Sequence, residues 1–464
     1  MNKKQFSSSN EVFEWLSNFI NLERGQKPKS FRLDRMTALS ELAGNPQKCA
    51  PSIHIAGSKG KGSVTGMITS ILTSAGFRTA RYMSPHVIDI RERLCLGDSY
   101  FSEEVYVCAG NELKNVTENL LPASKNPLFD AETPEGAEPT FWELLTFLFF
   151  LCARHANCDI MVVETGLGGR LDSTNVLEPL VSVITLIELE HTGMLGKTIT
   201  AVAGEKAGII KQGKPLVLAR QCETALKVFK KVTEEKNSPL FYLPQITEIS
   251  NIKVTKQVTD FILTFKSDNT ALSLSVPIPG KVQAENAALA IAAINAAFLN
   301  SPESRAKISD GAFKDGLKNL NIPGRFEKLN PPGDTPSFII DGAHTPESLD
   351  LCIETFCSLY GEGGVLLFGC AADKDATAMA KIAHSHFAKI IITTPGTFKM
   401  SDCAKVHEIF AQTAGCEKTR LIADTHEAIK TAREFAAEKR LPILGTGSFY
   451  LVSEIRKFVF CAGD

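Results

Sequence analysis

The stretch HIAGSKGKGSVTG, His54–Gly66, alternates glycine with lysine directly after a short apolar run. In the common phosphate-binding loop, four residues separate the first glycine from a Gly-Lys pair, and Ser or Thr follows that pair at once. Here two residues separate Gly57 from the Gly-Lys pair, and a further glycine, Gly62, precedes Ser63. The stretch departs from the common pattern, so the rest of the chain must show whether it binds a nucleotide.

A strand is predicted before this loop and a helix after it. The run Ser52–Ala56 is apolar, and apolar residues after the glycines recur at helical spacing until Gly76, which suits a helix end. Backbone N–H groups curled around an anion at a helix start form a phosphate site, and Lys61 would reach a terminal phosphate. A ligand-free turn with solvent-facing lysines is the alternative. The predicted nucleotide-binding residues of the loop are Gly57, Ser58, Lys59, Gly60, Lys61, Gly62 and Ser63.

Strand and helix patterns alternate along most of the chain, for example at CDIMVVETGLGG, PLVSVITLIEL and KPLVLAR. Such alternation favours an α/β fold with a mostly parallel sheet and helices on both faces. A polar stretch interrupts it near residues 300–322, and it restarts with SFIIDGAH. With the glycine-rich loop between strand and helix, the sequence therefore predicts a large N-terminal α/β domain of the P-loop type, residues 1–321, and a smaller Rossmann-like C-terminal α/β domain, residues 322–464.

The composition is that of a globular protein. Of the 464 residues, 44% are hydrophobic, and 50 basic side chains nearly balance 52 acidic ones, so neither a nucleic acid nor a membrane surface is expected as a partner. The apolar run Phe141–Ala153 is too short to span a bilayer and contains Glu143, which favours a buried helix. The twelve scattered cysteines and the absence of a signal-like start indicate reduced thiols in a cytoplasmic protein.

Further motifs follow the loop in a fixed order along nearly the whole chain. They are LDRM (Leu33–Met36), MSPHV (Met83–Val87), ETGLGGRLDSTN (Glu164–Asn175), EHTGMLGKTI (Glu190–Ile199), EKAGIIK (Glu205–Lys211), PGRFE (Pro323–Glu327), DGAH (Asp341–His344), DKD (Asp373–Asp375) and GTGSFYLVSE (Gly445–Glu454). Together with GSKGKGS they resemble the folate branch of the Mur ligase superfamily, the folylpolyglutamate and dihydrofolate synthases.

The resemblance implies an ATP-dependent ligase that adds L-glutamate to the γ-carboxylate of folates through an acyl phosphate, and also to dihydropteroate. An enzyme that only extends existing folates is the nearest alternative. A cell-wall peptide ligase of the same superfamily, a small-molecule kinase and a non-catalytic nucleotide-binding module are further ones. The expected partners are small molecules, namely a folate or dihydropteroate, L-glutamate and ATP, and the expected state is a monomer.

Two polar residues end apolar strands, where the mouth of a parallel sheet binds ligands. From position alone, Glu164 could be an ordinary turn residue and His191 a structural histidine. The resemblance implies that both bind Mg²⁺, together with Ser63 and Ser84, and that two Mg²⁺ sites exist. This chain has Glu190 where the family usually has Asp before the histidine.

The remaining site residues follow from the resemblance as well. Lys206 matches a lysine that is carbamylated in the family, whereas position alone would favour a surface helix lysine. Asn286, Arg325 and Asp341 match nucleotide contacts, and His344 follows in DGAH. The family's DGAHNP reads DGAHTP here. The expected catalytic residues are Lys61, Glu164, His191, Lys206 and His344.

The expected pterin pocket uses three segments, residues 30–33, 140–143 and 171–173. Phe141 and Trp142 could stack on a flat heterocycle, although both fit a core equally well. Asp172 could contact the pteridine or cap the turn that follows it. The substrate residues implied by the resemblance are Phe141, Trp142, Leu171, Asp172 and Ser173.

Overall fold

The larger sheet has eight strands, and six neighbouring strands run parallel. The strands are β1 (Ser52–Ala56), β2 (Thr79–Tyr82), β3 (Leu94–Leu96), β4 (Ser99–Tyr100), β5 (Ile160–Glu164), β6 (Val181–Ile184), β7 (Leu216–Leu218) and β8 (Leu240–Tyr242). Their order is β4-β3-β2-β5-β1-β6-β7-β8, with β3 and β4 antiparallel at one edge. Strands β1, β5 and β6 are buried along their whole length, as expected when helices cover both faces of a parallel sheet.

Two glycines let the chain turn from β1 into the next helix, Lys61–Ser74. Gly57 has φ +147°, and a Cβ there would lie 1.8 Å from the Thr185 side chain. Gly60 has φ +88°, and its Cβ would lie 2.6 Å from Asn286 Oδ1. Only glycine fits such backbone angles and close approaches without strain. These two glycines therefore fix the path of the loop between two parts of the chain that are distant in sequence.

A three-stranded antiparallel sheet follows, for which the sequence analysis gave no expectation. Its strands are β9 (Thr247–Val254), β10 (Thr259–Phe265) and β11 (Ala271–Val276), in the order β11-β10-β9. Burial alternates along β11, so one face packs on the core and the other faces solvent. This period of two is the signal that could have predicted the sheet. Lys256, between β9 and β10, lies 4.8 Å from the centre of the Tyr360 ring in the C-terminal part of the chain.

The second large sheet has six strands. They are β12 (Glu327–Leu329), β13 (Phe338–Ile340), β14 (Gly364–Phe368), β15 (Phe387–Ile392), β16 (Thr419–Leu421) and β17 (Ile443–Thr446). The order is β12-β13-β17-β14-β15-β16, and only β12 is antiparallel. The predicted α/β class with two sheets is confirmed. The domain boundary after residue 321 stays a prediction; β12, the first strand of the second sheet, begins at Glu327.

Helices cover these sheets. The computed structural model describes residues 5–21, 32–120, 139–331, 336–396 and 400–461. Its α-helices are Ser9–Leu16, Asp34–Leu42, Lys61–Ser74, Glu103–Asn115, Phe141–His155, Thr192–Leu195, Ile199–Ala207, Glu223–Glu235, Leu243–Ile246, Val282–Ala297, Pro302–Lys307, Asp310–Lys318, Pro346–Tyr360, Ala376–Ala383, Cys403–Ala414, Thr425–Lys439 and Phe449–Cys461. The helix Phe141–His155 is largely buried, as predicted. Within the described residues, no helix combines the length and apolar character needed to cross a bilayer.

Beneath the glycine-rich loop, β1 contains a histidine that is fully buried. His54 Nε2 lies 2.8 Å from the hydroxyl of Thr174, and that hydroxyl donates to Asp172 Oδ1 at 2.5 Å. Since the Thr174 proton points to the carboxylate, His54 must donate its own Nε2 proton to Thr174. Burial, with a small contribution from Lys211, lowers the pKa of His54 to about 3, so the ring is neutral.

The helix Asp310–Lys318 packs closely on the helix that follows the loop. Ser70 donates a hydrogen bond to the carbonyl of Gly316 at 2.7 Å. A Cβ at Gly316 would lie 2.4 Å from the backbone of Ile71, so the two helices approach at a distance that only glycine allows. This contact holds the helix Lys61–Ser74 against the segment that leads into the C-terminal part of the chain.

We expect Gly316→Ala to lower the free energy of unfolding by about 1–3 kcal/mol, because the added methyl group overpacks this contact. Alanine otherwise favours a helix by about 0.5–1 kcal/mol over glycine. Gly204→Ala is the matched control, since its Cβ would meet nothing within 4 Å. Urea unfolding of both variants measures the difference. An equal or greater stability of Gly316→Ala would contradict the observed packing.

The buried His54 predicts a dependence of stability on pH. Because folding lowers its pKa, the unfolded chain takes up this proton first, so stability present above pH 6.5 is lost as the pH falls toward the folded pKa. His54→Gln removes this contribution, and we expect its unfolding free energy to fall less steeply between pH 6.5 and pH 5. The exposed His384→Gln serves as control and should follow the wild type. Parallel curves for His54→Gln and the wild type would rule out the effect.

Candidate functional site

A large cleft opens where the carboxyl ends of the parallel strands of both sheets meet. Its volume is about 1650 Å³. One wall carries the loop at residues 58–63 and the turn at 166–173, and the opposite wall carries residues 341–344 and 371–374. Ligands of open α/β sheets bind at this end of the strands. The cleft brings together most of the site residues that the sequence predicted.

The loop is held by hydrogen bonds to the segment after β6. The backbone N–H groups of Ser58 and Lys59 both donate to the Leu186 carbonyl, at 2.9 and 3.1 Å, and the Ser58 hydroxyl donates to the Glu188 carbonyl. These two N–H groups are therefore already used inside the protein. The first-turn N–H groups of residues 61–63 remain as the donors that a helix offers to an anion. Fewer backbone N–H groups are therefore available to bind a phosphate than the prediction for the whole loop implied.

Lys61 lies at the start of the helix, with its ammonium group turned back on the loop. Its Nζ donates to the Gly57 carbonyl at 2.8 Å. Ser63, two residues further along the helix, is 3% exposed and lines the same cleft. Asn286 comes from the helix Val282–Ala297, where its side-chain amide donates to Gln283 and its carbonyl oxygen faces Gly60. Polar groups from two segments that are distant in sequence therefore surround the loop.

Glu164 ends β5 and points its carboxylate into the cleft. It is 3% exposed, and its Oε2 has no hydrogen-bond partner. Burial raises the pKa of Glu164 to about 7, against the effect of the positive charges on Lys61 and Arg325. A Cβ on Gly62 would lie 3.6 Å from Oε2, so the loop passes close to this oxygen. An unpartnered buried oxygen of this kind fits a ligand for a cation. Ser84 also lines the cleft.

Lys206 is buried beside the loop with two acceptors. Its Nζ donates to Glu190 Oε1 and to the Gly57 carbonyl, each at 2.7 Å, and the residue is 1% exposed. Burial lowers the pKa of Lys206 to about 8, although Glu190 acts in the opposite direction. The alternative of a surface helix lysine is wrong for this position. Glu190, which the sequence analysis noted only as a departure, is the direct partner of Lys206.

His191 occupies the turn next to Glu190 with φ +47° and is exposed at the rim of the cleft. In the described residues, no three His, Cys, Asp or Glu ligand atoms of the cleft converge within 4.8 Å. Glu164 and His191 thus do not form a closed metal cage with a third such side chain. Mg²⁺ usually keeps several waters and binds through one or two carboxylates plus substrate phosphates, so an open arrangement is compatible with it.

The opposite wall carries a guanidinium group held on an aromatic ring. The Arg325 guanidinium lies 4.1 Å from the centre of the Phe449 ring, and its Nη2 lies 3.3 Å from where a Cβ on Gly62 would be. Asp341 accepts hydrogen bonds from the backbone N–H groups of Phe326 and Ala343, each at 2.8 Å. Asp341 therefore fixes the turn that presents Arg325 to the loop.

His344 is fixed by its own backbone neighbourhood. Its Nδ1 lies 2.8 Å from the Gly342 carbonyl, so Nδ1 carries the proton and Nε2 is the free acceptor. Burial, with the charges of Lys59 and Lys374 nearby, lowers the pKa of His344 to about 3. The ring is neutral at physiological pH, and it is a weak base.

The two aromatic residues expected at the pterin pocket occupy different places. Phe141 is 4% exposed and packs in the core with its ring edge-on to Trp142, so the expectation that it contacts substrate is wrong. Trp142 lines the cleft, and the Arg93 guanidinium lies 4.7 Å from the centre of its ring. Phe141, the first residue of the helix Phe141–His155, thus faces the hydrophobic core and not the cleft. Residues 30 and 31 lie outside the described part of the chain.

The turn at residues 171–173 lines the cleft on the same side. Both carboxylate oxygens of Asp172 accept hydrogen bonds, Oδ2 from Leu167 N–H at 2.8 Å and Oδ1 from the backbone and hydroxyl of Thr174. The expected cap is therefore present, and the same carboxylate also reaches the cleft. The sequence analysis missed His54 and Thr174 beneath it, although both lie inside motifs that it quoted.

Comparison with known proteins identifies the family. Residues 128–294 match the Mur ligase middle domain, and residues 324–449 match the Mur ligase glutamate ligase domain. The dihydrofolate synthase/folylpolyglutamate synthase of Bacillus subtilis is 33% identical over 97% of this chain and 99% of its own length.

Solved structures agree with this assignment over nearly the whole chain. A Mycobacterium tuberculosis folylpolyglutamate synthase, solved with ADP and AMPPCP, superposes with a TM-score of 0.84 at 26% identity, covering 97% of this chain and 98% of the other. A folylpolyglutamate synthase complex with AMPPCP and folate gives 0.80 at 27% identity, covering 97% and 98%. The chain belongs to the folylpolyglutamate synthase/dihydrofolate synthase family of Mur ligases.

Proposed function

We propose that this chain joins L-glutamate to the γ-carboxylate of folates in a reaction driven by ATP. The observation that carries the proposal is the convergence of Lys61, Glu164 and Arg325 around a glycine-rich loop in a cleft that Trp142 also lines. The cleft has room for a nucleotide and a flat heterocycle together. The relatives solved with AMPPCP, and with AMPPCP and folate, support the same pair of ligands.

The chemistry starts from a carboxylate, which does not react with an amine at neutral pH because its oxygen is a poor leaving group. Transfer of the γ-phosphoryl group of ATP to the folate carboxylate gives an acyl phosphate. The glutamate amine then attacks the acyl carbon, the amide bond forms, and phosphate leaves. Such transfers depend mainly on positioning and on stabilising the charge of the phosphoryl group.

In this chain, Lys61, Arg325 and the first-turn N–H groups after the loop supply that stabilisation. Lys61 donates at present to the Gly57 carbonyl, which keeps its ammonium group within the loop. Arg325 approaches from the other wall on the face of Phe449, so the two cations bracket the space over Gly62. The always-charged, planar guanidinium suits contact with phosphate oxygens. Asn286 and Asp341 complete the proposed nucleotide contacts, Asp341 by holding the turn.

Mg²⁺ is the cation we propose for this site, and the residues present fit it. Glu164 offers an unpartnered buried oxygen, and Ser63, Ser84 and His191 line the same cleft. When bound, Mg²⁺ neutralises charge on the phosphates and orients them. Glu164 must be ionised to serve as a ligand, and the positive charges of Lys61 and Arg325 favour that form.

We also propose that Lys206 is carbamylated and takes part in a second Mg²⁺ site. A carbamate forms when a neutral amine adds to CO₂, and burial lowers the pKa of Lys206 to about 8, which increases the neutral fraction. The carbamate would stand beside Glu190 and the Gly57 carbonyl, which now accept hydrogen bonds from the ammonium group. Two anionic groups at this distance require a cation between them. In this chain, modification of Lys206 and cation binding are therefore coupled.

His344 is proposed to orient a reactant, because its protonated Nδ1 is tied to Gly342 and its Nε2 remains an acceptor. The glutamate ammonium group must lose a proton before it attacks. With a pKa of about 3, His344 is a poor proton acceptor but a good hydrogen-bond acceptor. We further propose that the enzyme is a monomer and that it works in the cytoplasm. The free thiols of the described cysteines support the second point, because cytoplasmic thiols stay reduced.

We propose that dihydropteroate is a second substrate. The support is Asp172, a 9% exposed carboxylate at the cleft, and Trp142 beside it, which together fit the polar edge and flat face of a pterin. The resemblance of GSKGKGS, with its Lys59, favours the alternative of an enzyme that only extends folates. The catalytic residues serve both reactions equally, so only the pterin side of the cleft can separate them.

ADP release is expected to require both a folate and L-glutamate. Lys61→Ala should lower turnover by about a hundredfold or more, because it removes a preorganised charge from the phosphate site. The matched control is Lys227→Ala, a surface lysine paired with Glu223 on the helix Glu223–Glu235. Rapid ADP release with a folate but without glutamate would point to a kinase. Near-normal activity of folded Lys61→Ala would remove the loop from the reaction.

Asp172→Asn is expected to lower kcat/KM for dihydropteroate by about ten- to hundredfold, as for the loss of a hydrogen bond to a charged group, with a smaller effect on tetrahydrofolate. Thr174→Val is the matched control, because it disturbs the same cap from a side chain that is fully buried and outside the cleft. Both variants are assayed with saturating ATP, Mg²⁺ and glutamate.

Equal losses in the two variants, on both substrates, would show that Asp172 acts only as a cap. If the wild type extends tetrahydrofolate but forms no dihydrofolate from dihydropteroate, the enzyme is extending-only.

A further inference from the structure

Three potential metal ligands meet at one end of the C-terminal sheet, outside the cleft. Cys357 is in the last turn of the helix Pro346–Tyr360, Glu362 is in the turn that leads to β14, and His386 precedes β15. Their Sγ, carboxylate oxygen and imidazole nitrogen all lie within 4.8 Å of one another. In the described part of the chain, no other three Cys, His, Asp or Glu ligand atoms come together in this way.

The distances between the ligand atoms match one face of a tetrahedral metal site. Cys357 Sγ lies 3.5 Å from Glu362 Oε2 and 3.8 Å from His386 Nδ1, and the last two atoms are 3.0 Å apart. Metal bonds of about 2.0–2.3 Å at tetrahedral angles place such ligand atoms about 3.3–3.6 Å apart. Small side-chain adjustments would therefore bring all three atoms to bonding distance of one ion.

Backbone hydrogen bonds hold the three residues in this arrangement without help from their side chains. The N–H of Gly361 donates to the Cys357 carbonyl, and the N–H of Gly363 donates to the His386 carbonyl, each at 2.9 Å. Both glycines have φ +85°, a left-handed conformation that lets the chain reverse and bring Glu362 back toward the helix. The ligand set is preorganised by the turn, so binding an ion requires little ordering of the backbone.

We propose that Cys357, Glu362 and His386 bind one divalent transition metal ion, with Zn²⁺ as the expected ion. Sulfur, nitrogen and carboxylate oxygen together suit Zn²⁺ rather than Mg²⁺, which prefers oxygen ligands. The Glu362 side chain is 63% exposed and that of His386 is 35% exposed, so the fourth position opens to water. Binding releases the thiol proton of Cys357 to solvent and forms a sulfur–metal bond.

The metal-free state is consistent with this exchange of a proton for a metal ion. Partial burial, together with the negative charge of Glu362, raises the pKa of Cys357 to about 12, so the thiol keeps its proton and donates to the carboxylate. A cation relieves the charge that opposes the thiolate.

The site would fasten the end of a helix that also lines the cleft. Glu354, Thr355 and Ser358 of the helix Pro346–Tyr360 face the cleft, whereas Cys357 faces β15. An ion bound at Cys357, Glu362 and His386 would tie the helix end to the start of β15. The expected consequence is greater stability of the C-terminal sheet rather than a part in the ligation itself.

The test is a Co²⁺ titration of the full chain after chelator treatment, in a phosphine reductant and excess Mg²⁺. We expect one equivalent to bind with a sulfur-to-cobalt charge-transfer band, and Zn²⁺ to displace it. Cys357→Ser and His386→Gln should each weaken binding by about a hundredfold or more, beyond the loss typical of a second-shell partner. Cys416→Ser and His384→Gln, which alter an exposed thiol and an exposed imidazole, should bind as the wild type does.

A wild-type protein without the charge-transfer band would overturn the proposal, as would a band that persists in Cys357→Ser. Loss of binding in both control variants would indicate a non-specific effect of the substitutions and would also contradict the site. All four variants are expected to keep ligase activity, because their side chains lie outside the cleft lining. The result is therefore independent of the proposed ligation.

Discussion

The carbonyl oxygen of Gly57 accepts hydrogen bonds from two lysines, and the rest of the site depends on that junction. Lys61 Nζ lies 2.8 Å from it and Lys206 Nζ 2.7 Å, although the two lysines come from different helices. A single carboxylate, Glu190, bonds Lys206 directly. The mutual repulsion of the ammonium groups contributes to the lowered pKa of Lys206. With Lys206 unmodified, the loop thus carries more positive charge than its own side chains neutralise, which suits a polyphosphate.

The contact of the Gly57 carbonyl with the two lysines also explains why glycines are needed at positions 57 and 60. Gly57 has no room for a side chain beside Thr185, and Gly60 has none beside Asn286. If the loop moved outward to relieve either contact, the Gly57 carbonyl would leave both lysines. Backbone geometry and electrostatics therefore depend on each other here. Arg325 adds a further cation from the opposite wall, and it is kept in place by the Phe449 ring rather than by a carboxylate hydrogen bond.

Much of this could be predicted from the sequence, because local patterns carry it. The strand before the loop, the helix after it and Glu164 at the end of β5 follow from periodicity and from the position of polar residues at strand ends. The family motifs pointed to Lys206 and Asp172. In contrast, the resemblance implied that Phe141 contacts the substrate, and the local pattern could not correct this because it does not tell which face of a uniformly apolar helix is buried. The sheet β9–β11 was missed although its alternating pattern was present.

Contacts between distant segments could not be predicted in this way. The chain from His54 through Thr174 to Asp172 joins residues 120 positions apart. Cys357 and His386 meet only because the helix Pro346–Tyr360 ends where β15 begins. No spacing rule relates such residues, since their approach depends on strand order. The order of β1, β5 and β6 in the larger sheet had to be known before the first cluster could be recognised, and the order of β12–β17 before the second.

The contact between Lys256 and Tyr360 joins the small antiparallel sheet to the C-terminal part of the chain. A cation–π pair at an exposed site contributes about 0.5–1 kcal/mol, close to thermal energy. Such a contact therefore favours one relative position of the small sheet and the C-terminal part only weakly. Buried apolar residues of both parts also pack in one cluster, so loss of the Lys256 charge would leave most of the contact between them in place.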